Sequence, residues 1–224
     1  MISSHMQDIP RKKISFHNLD LVLMHHRQWL ESKGRFGERA ELKGIDLSGR
    51  ELFGVILTRA VIQDVNFCGA NLRTSNFQGA SILGCRLSQA HIQWSILTGA
   101  VLEGCDVTRA NLQFAEVSNA TIADVDFSGA FFHNAYLSKA VFRHTNLTGT
   151  NLRFSIWESA VLEHINLTDS TIQLADFSNA TLREVDFHNA QISNTNFANA
   201  HMSNVKLNNT KLKNVNFPYA NQNR

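Results

Sequence analysis

Residues 60–99, written in groups of five, read AVIQD VNFCG ANLRT SNFQG ASILG CRLSQ AHIQW SILTG. The third residue of every group is large and apolar, and the first is small or β-branched. A helix repeats every 3.6 residues and a strand every two, so neither could hold these residues on one face. The backbone must therefore turn once in every five residues.

The five-residue period extends over most of the chain. A large apolar residue occupies every fifth position from 42 to 217, and the position two residues later is often Gly or Asn. Gly and Asn adopt a positive φ more easily than other residues do. We therefore expect each pentapeptide to form a short extended segment followed by a tight corner.

A second period of 20 residues is superimposed on the first. Ala stands at every twentieth position from 40 to 220, whereas the column that starts at Ile45 contains only Ile, Val, Cys and Thr. Four pentapeptides thus form one square coil with four faces, and about nine coils at about 4.8 Å each form a rod of about 43 Å. We number the faces by their central residues, which begin at Leu42, Leu47, Leu52 and Leu57.

Composition and charge narrow the classes of function. Of 224 residues, 43% are hydrophobic and 18% charged, and the net charge is +2. This composition is typical of a folded protein, and the nearly balanced charge does not favour direct binding of nucleic acid. No apolar run approaches the roughly 18 residues of a membrane span. We therefore predict a cytoplasmic protein that does not act at a membrane.

The two ends of the chain differ. Residues 19–33 have the apolar spacing of an amphipathic helix, with Asn18 as the N-cap and Gly34 as the terminator, and this helix would cover the first coil. The predicted division is an N-terminal tail (1–17), a capping helix and linker (18–39), the β-helix (40–220) and a C-terminal tail (221–224). The sequence leaves open whether the N-terminal tail is ordered. The last coil is either bare or covered by a partner, so end-to-end dimerisation stays open.

The repeat resembles a known family. The triplets 70–72 (ANL), 110–112 (ANL) and 175–177 (ADF) are similar to the A(D/N)LXX pattern of pentapeptide-repeat proteins, and the resemblance covers residues 40–220. It implies a right-handed quadrilateral β-helix. The expected fold class is an all-β solenoid of about nine 20-residue coils with a short N-terminal α-helical cap.

Large apolar residues occupy outward positions at the corner between the third and fourth faces, where the family pattern is mostly polar. A contiguous exposed apolar patch usually marks an interface. The alternative is a ladder of stacked aromatic side chains that only stiffens the corner. The predicted apolar stripe consists of Trp94, Ile96, Phe114, Tyr136, Phe154, Ile156 and Leu174.

One corner column contains potential metal ligands, namely Asp124, His144, His164 and Glu184. We predict a solvated ladder of charges there and no metal site, because a flat wall offers no second shell of hydrogen bonds to the ligands. No nucleophile with a nearby base and no phosphate-binding loop can be assembled from the repeat. The sequence therefore predicts a protein that is not an enzyme and has no cofactor.

The favoured hypothesis is a non-enzymatic scaffold that binds a protein partner, or a second copy of itself, through the apolar stripe. The resemblance implies an alternative, a DNA gyrase or topoisomerase-binding protein of the quinolone-resistance type that acts as a DNA mimic. Those relatives are acidic rods, whereas this chain has 14 basic and 15 acidic residues from Ala40 onward. A second alternative is a bacterial effector that acts at a membrane or on a host protein.

Overall fold

The computed structural model describes residues 12–13 and 16–215 and shows a parallel β-solenoid of about nine turns. The paired residues of successive coils are 20 positions apart, as Leu42 and Ile62 are on the first face and Asp46 and Asn66 on the second. This register confirms the square coil of four pentapeptides. The right-handed quadrilateral β-helix with an N-terminal helical cap is also confirmed.

The strands are short because the backbone turns a corner once in every five residues. The elements are β1 (Lys12–Lys13), α1 (Phe16–Glu31), β2 (Glu41–Lys43), β3 (Ile45–Asp46), β4 (Val61–Gln63), β5 (Ser81–Leu83), β6 (Val101–Glu103), β7 (Thr121–Ala123), β8 (Val141–Arg143), β9 (Val161–Asn166), β10 (Thr171–Gln173), β11 (Thr181–Asp186), β12 (Gln191–Ser193), β13 (His201–Ser203) and β14 (Lys211–Lys213). The first face forms a nine-stranded parallel sheet in the order β13-β11-β9-β8-β7-β6-β5-β4-β2, and β10, β12 and β14 form a second sheet on the third face.

The corners have the predicted backbone conformation. Every fifth residue from Gly44 to Asn214 has a positive φ. At many corners the next amide donates to the preceding central carbonyl, as Ala80 N does to Phe77 O at 2.9 Å. The Asp or Asn of the family pattern supports the same turn, since Asn76 Oδ1 accepts a hydrogen bond from Gln78 N at 2.9 Å.

The core is a narrow column of stacked side chains. All central residues from Leu42 to Met202 are buried. Between the layers lies the column of small residues, which is also buried from Ala60 to Ala200 and includes Ala80 and Ala140. Cys85 and Cys105 lie in the core as free thiols, and contact with Cys105 together with burial raises the pKa of the Cys85 thiol.

Trp157 is larger than any other central residue, and the sequence predicts that it distorts its coil. The structure shows the opposite, because Ile156 pairs with Tyr136 below and Asp176 above without interruption. The indole is fully buried and stacks on Phe177 at 5.4 Å between ring centroids. Its Nε1 donates to Ser155 Oγ at 2.8 Å, so a Ser in the small column provides both the space and the acceptor.

The N-terminal cap begins earlier than predicted. Helix α1 starts at Phe16, so Asn18 lies inside the helix and is not its N-cap. Strand β1 lies in the predicted tail and pairs with β3 of the first coil. The apolar side of α1 is as expected, since Leu19 is buried and Val22 and Leu23 pack against the core. Helix boundaries shift in this way because capping preferences contribute only about 1 kcal/mol.

The helix ends in a Schellman motif. Lys33 adopts a positive φ of 56°, and Gly34 N donates to Trp29 O at 2.8 Å while Lys33 N donates to Leu30 O at 3.1 Å. The last helical residue is therefore Glu31 and not Lys33. The predicted terminator Gly34 takes part in the motif, but Lys33 is the residue that reverses the backbone.

The cap is joined to the first coil by His26, which is buried. Its Nδ1 accepts a hydrogen bond from Ala40 N at 3.0 Å, at the amide where the β-helix begins. The acceptor must be an unprotonated nitrogen. Burial lowers the pKa of His26 below its ordinary value of 6.5, and the charge of Arg39 lowers this pKa further.

We expect the cap to loosen as the pH falls below about 6.5, because the unfolded segment then binds a proton that folded His26 does not. The stability of the cap should stop decreasing once the pH is below the lowered pKa of folded His26. Hydrogen exchange of α1 and the Ala40 amide at pH 7.5 and 5.5 measures this change. His26→Asn should remove the pH dependence, and His25→Asn, at an exposed neighbour, should keep it; equal pH dependence in both variants would contradict the assignment.

Burial decreases in the last described coil. Leu207 is half-buried and Leu212 is 47% exposed, although both are central residues. Residues 216–224, which include Phe217, Pro218 and the predicted C-terminal tail, lie outside the described part of the chain. End-to-end dimerisation through this coil therefore stays a prediction.

Candidate functional site

The apolar stripe is positioned by left-handed corner residues. Trp94, Phe114, Phe154 and Leu174 have φ values between 55° and 62°, so each side chain leaves the corner away from the core. Beside them on the fourth face, Ile96, Tyr136 and Ile156 occupy outward positions in one paired column. The 20-residue register thus brings all seven predicted residues to one edge of the rod.

Aromatic rings in the stripe contact one another along the rod. The rings of Trp94 and Phe114 stack at 4.0 Å between centroids and are parallel to within 2°. Asn134 interrupts the corner column one coil later. At this coil His133 continues the ring contacts. Its imidazole makes edge contacts with Phe114 at 6.4 Å and with Phe154 at 5.2 Å between ring centroids.

His133 is a member of the ladder that the sequence analysis missed. It lies on the third face, one residue before the corner, and its ring contacts both Phe114 and Phe154, which Asn134 separates in the corner column. The sequence did contain an indication of this contact. An Asn between two Phe residues in one column leaves a gap of one coil between their rings. A neighbouring aromatic side chain can fill such a gap.

Stacking leaves much of the stripe exposed. Trp94 is 58% exposed, Leu174 51%, Tyr136 47% and Phe154 45%, whereas Ile96, Phe114 and Ile156 are half-buried. Phe131, on the third face two residues before His133, is also exposed. The rings therefore stack along the rod, and the outer surface of this corner also stays open to solvent.

Charge differs on the two sides of the stripe. The described outward positions of the third face contain no Asp or Glu from 71 to 214, and they include Arg73 and Arg153. The fourth face carries Glu116 and Asp176 in the same column as Ile96, Tyr136 and Ile156. Arginines thus lie on the third-face side of the stripe, and carboxylates lie within its fourth-face column.

The candidate metal column is only partly assembled. The imidazoles of His144 and His164 stack at 4.6 Å, and His164 Nδ1 lies 2.9 Å from Glu184 Oε2. Over the described ranges 12–13 and 16–215, no group of three His, Cys, Asp or Glu residues is arranged to hold a metal ion. Asp124 is exposed at the same corner one coil below His144.

A shallow depression beside the end of α1 is lined by Gln28, Glu31, Ser32, Lys33, Arg35 and Phe36. It is broadly open to solvent, and it contains no hydroxyl or thiol paired with a base. Among the described helices, none is long and apolar enough to cross a membrane.

Two family models match the repeat region. The model described as pentapeptide repeats (8 copies) matches overlapping segments from residue 40 to 153, at 40–79, 56–93, 85–122 and 118–153. The model described as a pentapeptide repeat region matches residues 157–217. Together they cover almost the whole solenoid.

No curated protein sequence gives a significant match. Among solved structures, the chain is similar to full-length QnrB1, a plasmid-mediated fluoroquinolone resistance protein, with 19% identity over 70% of this chain and 92% of that chain and a TM-score of 0.43. It is also similar to HetL, which is involved in heterocyst differentiation regulation in the cyanobacterium Nostoc sp. strain PCC 7120, with 21% identity over 84% of this chain and 92% of that chain and a TM-score of 0.32. At these identities the likeness concerns the fold alone.

Proposed function

This chain belongs to the pentapeptide-repeat family, and we propose that it is a non-enzymatic scaffold that binds a protein partner through the apolar stripe. One observation carries the proposal. Trp94, Phe154 and Leu174 are bulky residues in the left-handed conformation, yet about half of each side chain is exposed. A non-Gly residue in the left-handed conformation reduces the stability of the fold by about 1–2 kcal/mol. A side chain that stays exposed offsets little of this loss by burial.

The contrast with other corners supports a role in binding. Many corners elsewhere on the rod carry Gly or Asn, which suit a positive φ, such as Gly99 and Asn179. The remaining corners outside the stripe carry polar or charged residues, such as Arg109 and Lys139, and none of the described ones carries a large apolar residue. The ring stack of Trp94 and Phe114 offsets part of the cost with about 0.5–1.5 kcal/mol. No aromatic stack is found for Leu174 among the described residues, so its cost is not offset in this way.

The partner we propose is a protein whose apolar patch is flanked by carboxylates on the side that meets the third face. That face offers Arg73 and Arg153 and no opposing carboxylate in the described coils from 71 to 214. Opposite charges at the rim of an interface fix orientation and speed association more than they add affinity. Glu116 and Asp176 on the fourth face would disfavour the reversed orientation.

The test is a variant in which Trp94, Phe114 and Phe154 are all replaced by Asn, which suits the corner conformation. A matched control replaces Arg109 and Lys139, left-handed residues at other corners, by Asn. Cross-linking and affinity capture should retain a protein that binds the wild type and the control but not the stripe variant. Binding that is equal for all three proteins, or absent from all, would overturn the proposal.

The same variants measure self-association. If light scattering gives a dimer for the wild type and a monomer for the stripe variant alone, the partner is a second copy of this chain. A dimer that persists in the stripe variant would place self-association elsewhere, such as the C-terminal coil. In that case the stripe would remain available to another protein.

We predict that Leu174→Asn stabilises the rod by about 0.5–1 kcal/mol while weakening partner binding, because Asn tolerates the left-handed conformation better. The free energy of unfolding in urea measures the first effect. The reverse change, Asn194→Leu at the same corner one coil later, should destabilise by a similar amount. A loss of stability in Leu174→Asn would show that this side chain has a structural role.

The gyrase-binding alternative stays a prediction with its own assay. If this chain mimics duplex DNA, micromolar protein should inhibit supercoiling by DNA gyrase or protect the enzyme from a quinolone. Neither effect is expected of the scaffold proposed above. A supercoiling assay with and without quinolone therefore separates the two functions.

A further inference from the structure

The corner between the first and second faces carries two histidines in register. His144 and His164 have φ values of 48° and 57°, and their neighbours Arg143 and Glu163 are paired across adjacent strands. Both side chains therefore leave the corner in the same direction. Their rings are parallel to within 9°, with centroids 4.6 Å apart.

Glu184 orients one of these rings from the coil above. Its Oε2 lies 2.9 Å from His164 Nδ1, close enough to accept a hydrogen bond from that nitrogen. When Nδ1 of a neutral imidazole donates, Nε2 has the free lone pair. A carboxylate that fixes the ring through its second nitrogen is the usual support of a metal-ligating histidine. His164 therefore has a supporting carboxylate that the sequence did not predict for this wall.

The charges in the column next to the two histidines do not disfavour the binding of a cation there. Arg143 Nε donates to Glu163 Oε2 at 2.9 Å, and Arg183 Nη1 lies 3.9 Å from Glu163 Oε1, so both guanidinium groups face a carboxylate. Asp124 and Glu184 lie at the two ends of the histidine column. Three carboxylates thus accompany two guanidinium groups, which leaves an excess of negative charge when both imidazoles are neutral.

We propose that His144 and His164 form a two-imidazole site for a divalent transition-metal ion, with Glu184 as the carboxylate that orients His164. Imidazole nitrogen suits Zn²⁺, Ni²⁺ and Cu²⁺, and affinity rises toward Cu²⁺. Two nitrogens bound to one ion at about 2 Å lie roughly 3 Å apart, and their lone pairs must converge on the ion, so the exposed rings must rotate out of their parallel stack. Water completes the coordination, which makes the site open and exchangeable.

Asn is the replacement that tests the site without disturbing the fold. The same corner column carries Asn204, which has a φ of 53°, so His144→Asn and His164→Asn keep a residue suited to the backbone. A matched control is His188→Asn, on the second face. Glu184→Gln keeps the size of the orienting side chain but removes its charge.

The probe is Cu²⁺, titrated calorimetrically into the full chain at pH 7.5 with glycine as a competing ligand. We expect one ion to bind the wild type and His188→Asn equally. Affinity should fall at least about 10-fold in His144→Asn and in His164→Asn, and about 10-fold in Glu184→Gln, the usual effect of losing such a support. The electron paramagnetic resonance spectrum of the bound ion should show coupling to two imidazole nitrogens in the wild type and to only one in either His variant.

Wild-type affinity in both His144→Asn and His164→Asn would overturn the proposal. If only one of the two substitutions lowers affinity, the site is a single imidazole and the chelate is refuted. The circular dichroism spectrum of each variant, compared with the wild type, shows whether a lost affinity reflects lost structure. None of these results depends on whether the apolar stripe binds a protein, because the two surfaces lie on different corners.

Discussion

Phe127→Asp is expected to abolish the folded rod. Phe127 is 1% exposed and contacts Phe132 at 5.1 Å and Phe142 at 6.3 Å between ring centroids. Removing a buried Phe costs about 3–5 kcal/mol. A buried unpaired carboxylate adds a penalty of several kcal/mol. The sum reaches the 5–15 kcal/mol that holds a typical domain folded.

The change lies in the middle of the solenoid, and this position increases its effect. Each coil contacts only the coils above and below it, so a broken central coil separates the rod into two parts with new open ends. Far-ultraviolet circular dichroism and urea unfolding measure the loss. We expect either no cooperative transition or a sharply lower midpoint.

Phe127→Leu is the matched control. Leu87 and Leu147 occupy the same column, so the site accepts this side chain. Its cost should be less than about 1.5 kcal/mol, because the volume of the core changes little. A Phe127→Asp protein that unfolds at the wild-type urea concentration would show that Phe127 is not a core residue.

Trp157→Ala is expected to produce the second largest loss, about 3–5 kcal/mol. The indole is fully buried, stacks on Phe177, and approaches Phe142 at 5.0 Å. Its removal leaves a cavity between coils that the surrounding rings cannot fill without leaving their rotamers. The free energy of unfolding in urea measures the effect.

Trp157→Phe separates the volume from the hydrogen bond. Phe177 and Phe197 are stacked in the same column, so a Phe at 157 continues an existing ladder. We expect a cost of about 1–2 kcal/mol, mainly from the smaller ring and from Ser155 Oγ, which no longer receives the indole N–H. Equal losses for Trp157→Ala and Trp157→Phe would show that the hydrogen bond matters more than the packing.

Much of the candidate site was predictable because the solenoid converts sequence distance into spatial distance. Residues 20 positions apart become neighbours on adjacent coils, so Trp94 and Phe114 could be placed together before their stacking was known. The same rule placed His144 next to His164. The rule gives only columns, however, and does not say which side chains reach across to the next column.

The contacts that were missed join residues that this rule does not relate. His133 contacts Phe154 from a neighbouring column, and His26 accepts from Ala40 N across 14 residues of helix and linker. The limits of α1 were also missed, because the signals at helix ends are weak and local. Such contacts depend on side-chain rotamers and on the docking of one element on another.

The sequence by itself determined the period, the square coil, the core column and the left-handed corners, since each follows from a strict repeat of residue size and backbone preference. The tertiary structure decided how Trp157 fits beside Ser155, how far the stripe stays exposed and which nitrogen of His164 faces Glu184. The physical reason is that a repeat fixes the backbone of every coil alike. The rotamer and hydrogen bonds of each side chain depend on the particular neighbours above and below it.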